Sequence, residues 1–484
     1  MPSERVPSER VPSERVAFWL TVILAGATVW IVPRLPLADL PQHAGQIALW
    51  HDLTQGTSKW QSLVQVNYFT PYLVGCSLAL LLSFIIPVSA ALKLLLALSY
   101  YGFVLGCIAL GRRMGTDRRL DWLFVTGFFG LAYLYGFFPF LIALPIGLAF
   151  MALAHRHAER PTAASGALLA VTGLVLFFSH GLVFAFATVV GAAFLLLQTR
   201  SLRSLLFGAI PYAMLGLLCL AYVLGRLPED GNVTTKPDWP GLANGVNHLM
   251  FFPMGMPGAD WLLAPLVPLL LCVPWLLGCR INLRNKSAFV PLIFLLLWVV
   301  IVPETVMETF FVVSRFAVFL LPFYSLVFLP PASPRFRPSW VMAGVAAVSW
   351  LFLAVQVERL TAFARESASF DEVLAQAAPG HRALQLVLDV GSEAAHTPMA
   401  YTNFPLWYQA EKQGLVDFNF AQYAAQVVRY RDPQAARAVP TNGYGYFFVR
   451  SIKPLPTPFF PAGTCQPVPR KSSGPWTLFE AVNC

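Results

Sequence analysis

Four side chains just after the first hydrophobic segment have the types and spacing of a chemical site. Asp39, His43, Gln46 and Trp50 fall at i, i+4, i+7 and i+11, so a helix that begins near Asp39 places them on one face. Pro41 favours this start because the first turn of a helix does not need its missing N–H. Ionisable groups beside a membrane span are costly unless they line a wet cavity, so this carboxylate and imidazole indicate a site suited to proton transfer.

A simpler interpretation is that Asp39 only caps this helix and that His43 is a solvated residue at the membrane surface. Capping alone does not require an imidazole and two amides, from Gln42 and Gln46, near the carboxylate. The functional interpretation requires that these side chains line a real cavity.

Composition defines the broad class of protein. The chain is 57% hydrophobic and only 12% charged, outside the usual balance of a soluble domain, which indicates a polytopic membrane protein. The net charge of +9 does not imply a nucleic-acid partner, because Arg and Lys cluster in short loops between apolar segments.

Apolar segments of about the length that a bilayer requires recur along the chain, and we predict about eleven membrane-spanning helices. The fold class is therefore mainly α, a helix bundle in the membrane. The predicted spans are 16–32, 88–111, 122–138, 141–154, 163–178, 182–197, 205–225, 261–278, 289–303, 316–330 and 340–357.

A further apolar segment, 70–87, decides the topology. If it crosses the membrane, the cations of five consecutive loops lie outside, against the positive-inside rule. If it lies along the outer surface as a juxtamembrane helix, the same cations are cytoplasmic, together with Arg5, Arg10 and Arg15, and we predict this arrangement. The cations concerned are Arg112, Arg113, Arg118, Arg119, Arg156, Arg160, Arg200, Arg203, Arg280, Arg284, Lys286, Arg335 and Arg337.

Three extracytoplasmic elements follow from this topology. A first outer loop covers 33–87, a second covers 226–260, and the segment 358–484 is richer in acidic residues and turn signals, which predicts a small α/β domain. The membrane domain is then 16–357. The segment 1–15 repeats a five-residue unit that contains Pro and no apolar face, so we predict a disordered cytoplasmic tail followed by an uncleaved anchor.

Two cysteines fall in the predicted C-terminal domain. Cys465 and Cys484 could pair as a disulfide in an oxidising compartment, or remain as two unpaired thiols. The cysteine spacing gives no pattern typical of a zinc site.

The order of these parts resembles the GT-C superfamily of integral membrane glycosyltransferases. The shared plan is a first span, a long outer loop that opens with an Asp-containing motif, here Asp39-Leu40-Pro41-Gln42-His43, a many-span bundle and an outer C-terminal domain. The aromatic stretch 68–72 and the juxtamembrane helix after it also fit this plan. The resemblance implies an enzyme of the bacterial inner membrane that transfers a sugar from a polyprenyl-phosphate donor to a glycan, lipid or protein acceptor.

The resemblance also implies roles for individual residues. Asp39 would be the catalytic base or a metal ligand, and a divalent metal stays open because many members have two acidic residues where this loop has Asp39 and then His43. Gln42 and His43 would bind substrate, His180 in an outer turn would line the same cavity, and Arg315 at an outer helix end would bind phosphate. The simpler alternatives are an interfacial His180 and an Arg315 that reaches the surface or pairs with Glu308.

Two other functions remain open on the sequence. A transporter or flippase would also have eleven or twelve spans, although such proteins tend to show internal repeats and charges near the bilayer midplane. A catalytically inactive GT-C-like scaffold is the other alternative, because Asp39 has no second carboxylate beside it.

Overall fold

The computed structural model describes residues 11–226, 236–255, 262–263, 265–305, 309–332, 339–432, 443–456, 459–460 and 466–482. Within these residues the chain is mainly helical, as the composition predicts. The helices are α1 (Val11–Ala27), α2 (Leu40–Gln55), α3 (Leu73–Ser83), α4 (Val88–Met114), α5 (Leu131–Leu134), α6 (Phe138–Glu159), α7 (Ala163–Ser179), α8 (Gly181–Gln198), α9 (Leu202–Arg226), α10 (Gly241–Phe251), α11 (Leu266–Leu271), α12 (Val273–Leu276), α13 (Val290–Ile301), α14 (Leu320–Leu326), α15 (Ser339–Gln376) and α16 (Leu406–Lys412).

Five of the described helices are long and apolar enough to cross a membrane, namely α4, α6, α8, α9 and α15. Helix α3 has 11 residues, about 16 Å, and is too short to cross a hydrocarbon core of about 30 Å. Helix α1 begins at Val11, so residues 11–15 belong to a helix, whereas the repeat predicted a disordered tail up to residue 15.

Helices α4 and α6 run side by side in the same direction. Ser99 of α4 donates to the carbonyl of Leu141 in α6, which is free because Pro145 has no N–H to offer it. At the other end of the pair, Arg113 donates to Glu159 at 2.8 Å. The first contact lies near the beginning of α6 and the second lies near the ends of both helices, so the two helices point in the same direction. The chain between them must therefore return from the end of α4 to the beginning of α6.

That return is made without a continuous helix, contrary to the span predicted for 122–138. Two 3-10 helices (Arg118–Phe124 and Gly127–Phe129) and the short α5 occupy it. The side chains from 120 to 134 are buried, so protein rather than lipid surrounds this irregular backbone, which is the condition under which it is tolerated at membrane depth.

Two other predicted spans are also interrupted. In 261–278 the described helices are α11 and α12, in a segment that contains Pro265, Pro268 and Pro274. In 316–330 a 3-10 helix (Ser314–Phe319) precedes α14. Prolines remove helical hydrogen bonds, so apolar length alone did not predict the conformation of these segments.

The described strands form one five-stranded sheet and two short pairs. The strands are β1 (Val64–Val66), β2 (Arg280–Ile281), β3 (Phe328–Leu329), β4 (Arg382–Val387), β5 (Leu415–Asp417), β6 (Val428–Tyr430), β7 (Tyr446–Arg450), β8 (Gln466–Ser473) and β9 (Trp476–Val482). In the large sheet the order is β5-β4-β7-β9-β8, with β4 parallel to β5 and β7 and the other pairs antiparallel.

The predicted first outer loop and the C-terminal region form one layer. β1 pairs with β6 in antiparallel register, and Asn67 N–H donates to the carbonyl of Val427 at 2.7 Å. Because 33–87 and 358–482 share this strand pair, they lie on the same side of the helix bundle. Helix α15, about 57 Å long for its 38 residues, continues from the bundle into this layer.

The opposite end of the bundle carries the cationic helix ends. β2 pairs with β3, and Asn282 donates to the carbonyl of Met114 at the end of α4, at 3.0 Å. Arg113, Glu159 and Arg280 therefore lie at one end of the bundle, and Asp39 lies at the other.

Candidate functional site around Asp39

Asp39 is held where the layer that contains β1 and β6 meets the helix bundle. Its N–H donates to the carbonyl of Tyr135 at 2.8 Å, in the turn between α5 and α6. Gly136 in that turn has φ of +73°, and a Cβ at this position would lie 2.9 Å from Leu40 N and 3.3 Å from Asp39 N. A glycine is thus required for the two backbones to approach so closely.

The carboxylate of Asp39 does not cap α2. Asp39 occupies the position before the helix, but its φ and ψ are −97° and −7°, and its side chain makes no capping hydrogen bond. Pro41 lies in the first turn and has no N–H to donate. The simple capping interpretation is therefore wrong for this side chain, although the predicted helix start is confirmed.

An asparagine from the C-terminal region holds the carboxylate instead. Asn403 Nδ2 donates to Asp39 Oδ1 at 3.1 Å and to the carbonyl of Ala38 at 3.0 Å. Gln42 Nε2 in turn donates to Asn403 Oδ1 at 2.9 Å. The two amides therefore fix the orientation of the Asp39 carboxylate, while the Tyr135 carbonyl holds its backbone.

The hydrogen-bonding atoms of the Gln42 side chain are occupied by other parts of the protein. Besides Asn403, its Nε2 donates to the carbonyl of Phe418 at 3.0 Å, and its Oε1 accepts the N–H of Phe420 at 2.8 Å. Both ends of the amide are thus occupied, which leaves Gln42 an architectural role in joining α2 to the C-terminal region. Its predicted role in substrate binding remains a prediction.

Burial raises the pKa of Asp39 to about 7, and this effect outweighs the opposing effects of the Arg315 charge and the Asn403 hydrogen bond. The carboxyl group therefore changes its charge near neutral pH, in the range suited to a general acid or base. Perturbed carboxylates of this kind are concentrated at functional sites.

Arg315 lies within electrostatic range of Asp39. Its guanidinium is buried and stacks on the ring of Phe137 at 4.1 Å, so it does not extend to the surface as a simple interfacial arginine would. Nε donates to the carbonyl of Phe311 at 2.9 Å, and Nη2 donates to that of Phe310. Within the described part of the chain Nη1 has no hydrogen-bond partner, so one edge of the group remains available to an anion.

The two predicted site histidines lie in the same neighbourhood. His180 lies within electrostatic range of both Arg315 and His43, and burial, chiefly, lowers its pKa well below the usual value. Its Nδ1 accepts the N–H of Leu182 at 3.3 Å and caps α8, while its ring contacts Tyr72 and Phe140. The structure thus brings His180 into the site and also gives it a capping role.

His43 is a buried, neutral imidazole. It is 4% exposed and lies between the rings of Phe138 and Phe420, and burial lowers its pKa to about 3. Its Nδ1 has no partner among the described residues. An unpaired polar atom in such a position is costly unless a water or ligand binds it.

A second polar cluster supports the segment that carries Arg315. Glu304 Oε2 accepts the N–H groups of Val313 and Ser314 at 3.0 and 3.1 Å, and the hydroxyl of Ser314 donates to Oε1. His248 Nδ1, from α10, lies 2.8 Å from Ser314 Oγ. This cluster ties α10 to the residue next to Arg315. Glu308 lies outside the described residues, so its suggested pairing with Arg315 stays a prediction.

A small space adjoins the site on the side of Arg315. Arg315, Ser314, Phe252 and the segments 127–128 and 130–132 line a space with an empty volume of about 150 Å³, and Asp39, His43 and His180 are not part of its lining. Among the described residues there is no group of three or more His, Cys, Asp or Glu side chains that could hold a metal ion. Cys465 and Cys484 lie outside the described residues, so the suggested disulfide stays a prediction.

Sequence analysis missed several residues of this site. Asn403 carries no sequence signal, because it precedes a short helix more than 360 positions from Asp39. Tyr135 and Phe137 look like ordinary aromatic residues of a membrane surface, yet one holds the Asp39 backbone and the other stacks on Arg315. Glu304 and Arg315 are close together in the sequence, but nothing in the sequence predicted that Glu304 would accept the N–H groups of Val313 and Ser314.

No protein-family profile matches the chain, and no curated protein or solved structure matches it either.

Proposed function

We propose that the protein is a membrane glycosyltransferase of GT-C type that uses a polyprenyl-phosphate-linked sugar. The observation that carries the proposal is the placement of Asp39, with a pKa of about 7, within electrostatic range of the buried Arg315. The Asp39 carboxylate can accept a proton near neutral pH, and the Arg315 guanidinium can bind a phosphate. Sugar transfer requires both, because the acceptor hydroxyl loses a proton and the polyprenyl phosphate leaves.

The proposed reaction assigns one group to each charge that develops. Asp39 takes the proton of the acceptor hydroxyl as its oxygen attacks the sugar carbon bonded to the phosphate oxygen. That carbon–oxygen bond breaks, and the leaving polyprenyl phosphate carries the electron pair towards the free edge of Arg315. His43 and His180, both neutral, would orient the donor or the acceptor by hydrogen bonds.

The proposed location is the bacterial inner membrane, with Asp39 and the C-terminal layer outside the cytoplasm. The cationic helix ends lie at the opposite end of the bundle from Asp39, as the positive-inside rule requires of this orientation. A reporter that works only outside the cytoplasm should therefore be active when it is fused after residue 484, and a reporter that works only in the cytoplasm should be inactive there. The opposite result would reverse the assignment.

The direct test is transfer from polyprenyl-phosphate sugars in membranes that contain the protein. We expect Asp39→Asn to lose transfer while the variant still assembles, because asparagine can keep the contact with Asn403 but cannot accept the proton. Asp52→Asn changes a carboxylate at the far end of the same helix and is the matched control, with transfer retained. Unchanged transfer in Asp39→Asn would remove the proposed role of this residue.

A further inference from the structure

Helix α10 has three distinct faces. Gly245 and Leu249 face the protein and are buried, with His248 half-buried beside them. A second face is apolar and exposed: Leu242 is 66% and Val246 is 43% exposed. The remaining face carries Asn244 and Asn247, which are also exposed. In a helix that is too short to cross a membrane, this division into a protein face, an apolar flank and a polar flank is typical of a position at the membrane surface.

The apolar flank continues the exposed apolar surface of α13. Trp239, 53% exposed just before α10, donates its Nε1–H to the carbonyl of Ile301 at the end of α13, at 3.1 Å. Helix α13 exposes large apolar side chains along its length, and water would make such a continuous apolar surface unfavourable. These side chains are Ile293, Leu296, Leu297, Val300 and Ile301.

The two helices are in close contact where they cross. A Cβ at Gly245 would collide with Cγ1 of Val299, so only glycine allows α10 to lie this close to α13. The contact fixes α10 at the end of α13 that also carries Glu304, and therefore at the level of Arg315.

We propose that α10 is an interfacial helix, whose flank of Trp239, Leu242 and Val246 inserts into the acyl chains of the leaflet on the Asp39 side. Its polar flank, Asn244 and Asn247, then faces the headgroups and water. Because His248 on the protein face contacts Ser314, the helix connects the lipid phase to the residue beside Arg315. This lipid contact holds whether or not the protein transfers a sugar.

The test is cysteine labelling of the full chain in lipid nanodiscs, where water reaches both membrane faces. Leu242→Cys and Val246→Cys probe the apolar flank, and Asn244→Cys and Asn247→Cys are matched controls on the same helix. Labelling by a water-soluble maleimide is measured above that of the unmodified protein, because Cys272 is itself exposed.

We expect the apolar-flank cysteines to react at least about tenfold more slowly than the controls, because moving an apolar segment from the bilayer into water is disfavoured by such a ratio. A fluorophore on these cysteines should also be quenched by brominated acyl chains, and one on Asn244→Cys should not. Equal labelling rates on the two flanks, or quenching of neither, would overturn the proposal. Each flank has two variants, so one that fails to fold does not leave the question open.

Discussion

The raised pKa of Asp39 predicts that this residue lowers the free energy of unfolding of the protein at neutral pH. A solvated aspartic acid titrates near 3.9, whereas burial raises the pKa of Asp39 to about 7. The folded protein therefore favours the neutral form, and ionisation of Asp39 lowers the free energy of unfolding as the pH rises from about 4 to about 7. Above pH 7 the penalty stays constant.

The size of this penalty follows from the pKa difference. Each pKa unit corresponds to about 1.4 kcal/mol, so the upper limit is about 4 kcal/mol. Because Asp39 is only half-buried, solvent screening reduces the expected value to about 2 kcal/mol. Asn403 and Arg315 already contribute in the opposite direction.

Asp39→Asn should therefore be more stable than the wild type near and above pH 7 and equal to it near pH 4. The assay is denaturant unfolding in mixed micelles over this pH range, with Asp52→Asn as the control. In the wild type, transfer should rise with pH through an apparent pKa near 7, since the ionised carboxylate is the base. Reduced stability of Asp39→Asn at every pH, or a difference that does not depend on pH, would refute the reasoning.

Three further variants test the other groups of the site. Arg315→Lys keeps the charge but loses the planar edge, so the KM for the donor should rise about tenfold or more, and an unchanged KM would argue against phosphate binding. Gln42→Leu leaves the Oδ1 atom of Asn403 and the N–H of Phe420 without the partners that Gln42 supplies, and should lower the free energy of unfolding by about 2–4 kcal/mol, whereas wild-type stability would contradict the architectural role. His180→Asn keeps an acceptor for the N–H of Leu182 but loses the ring contacts with Tyr72 and Phe140, so the free energy of unfolding should fall by about 1–2 kcal/mol while transfer falls much further, and retained transfer would reduce His180 to a cap.

Local sequence patterns predicted the elements that carry the site. The start of α2 near Asp39 followed from Pro41, and the shared face of Asp39 and His43 followed from helical spacing. The use of the two side chains could not be predicted in this way, because Asp39 contacts Asn403 and His43 contacts Phe420, both far along the chain.

Apolar length predicted where helices α4, α6, α8 and α9 lie, since a hydrocarbon core requires about 20 apolar residues. It failed for 122–138, because a segment surrounded by other protein groups can satisfy its backbone without a continuous helix. Burial on all sides decides whether an apolar segment must form a continuous helix or can have an irregular backbone. That burial arises only when the bundle packs.

The sequence by itself determined that this is a mainly helical chain, with several apolar helices that could cross a membrane and a polar segment after its first hydrophobic segment, because composition and local periodicity do not depend on tertiary contacts. Tertiary structure alone decided the surroundings of the side chains in that segment. The pKa of Asp39 depends on its burial and on the distance to Arg315, and the strand pair between β1 and β6 brings the C-terminal region over α2. Desolvation and charge act through space, so their strength is fixed only when distant parts of the chain meet.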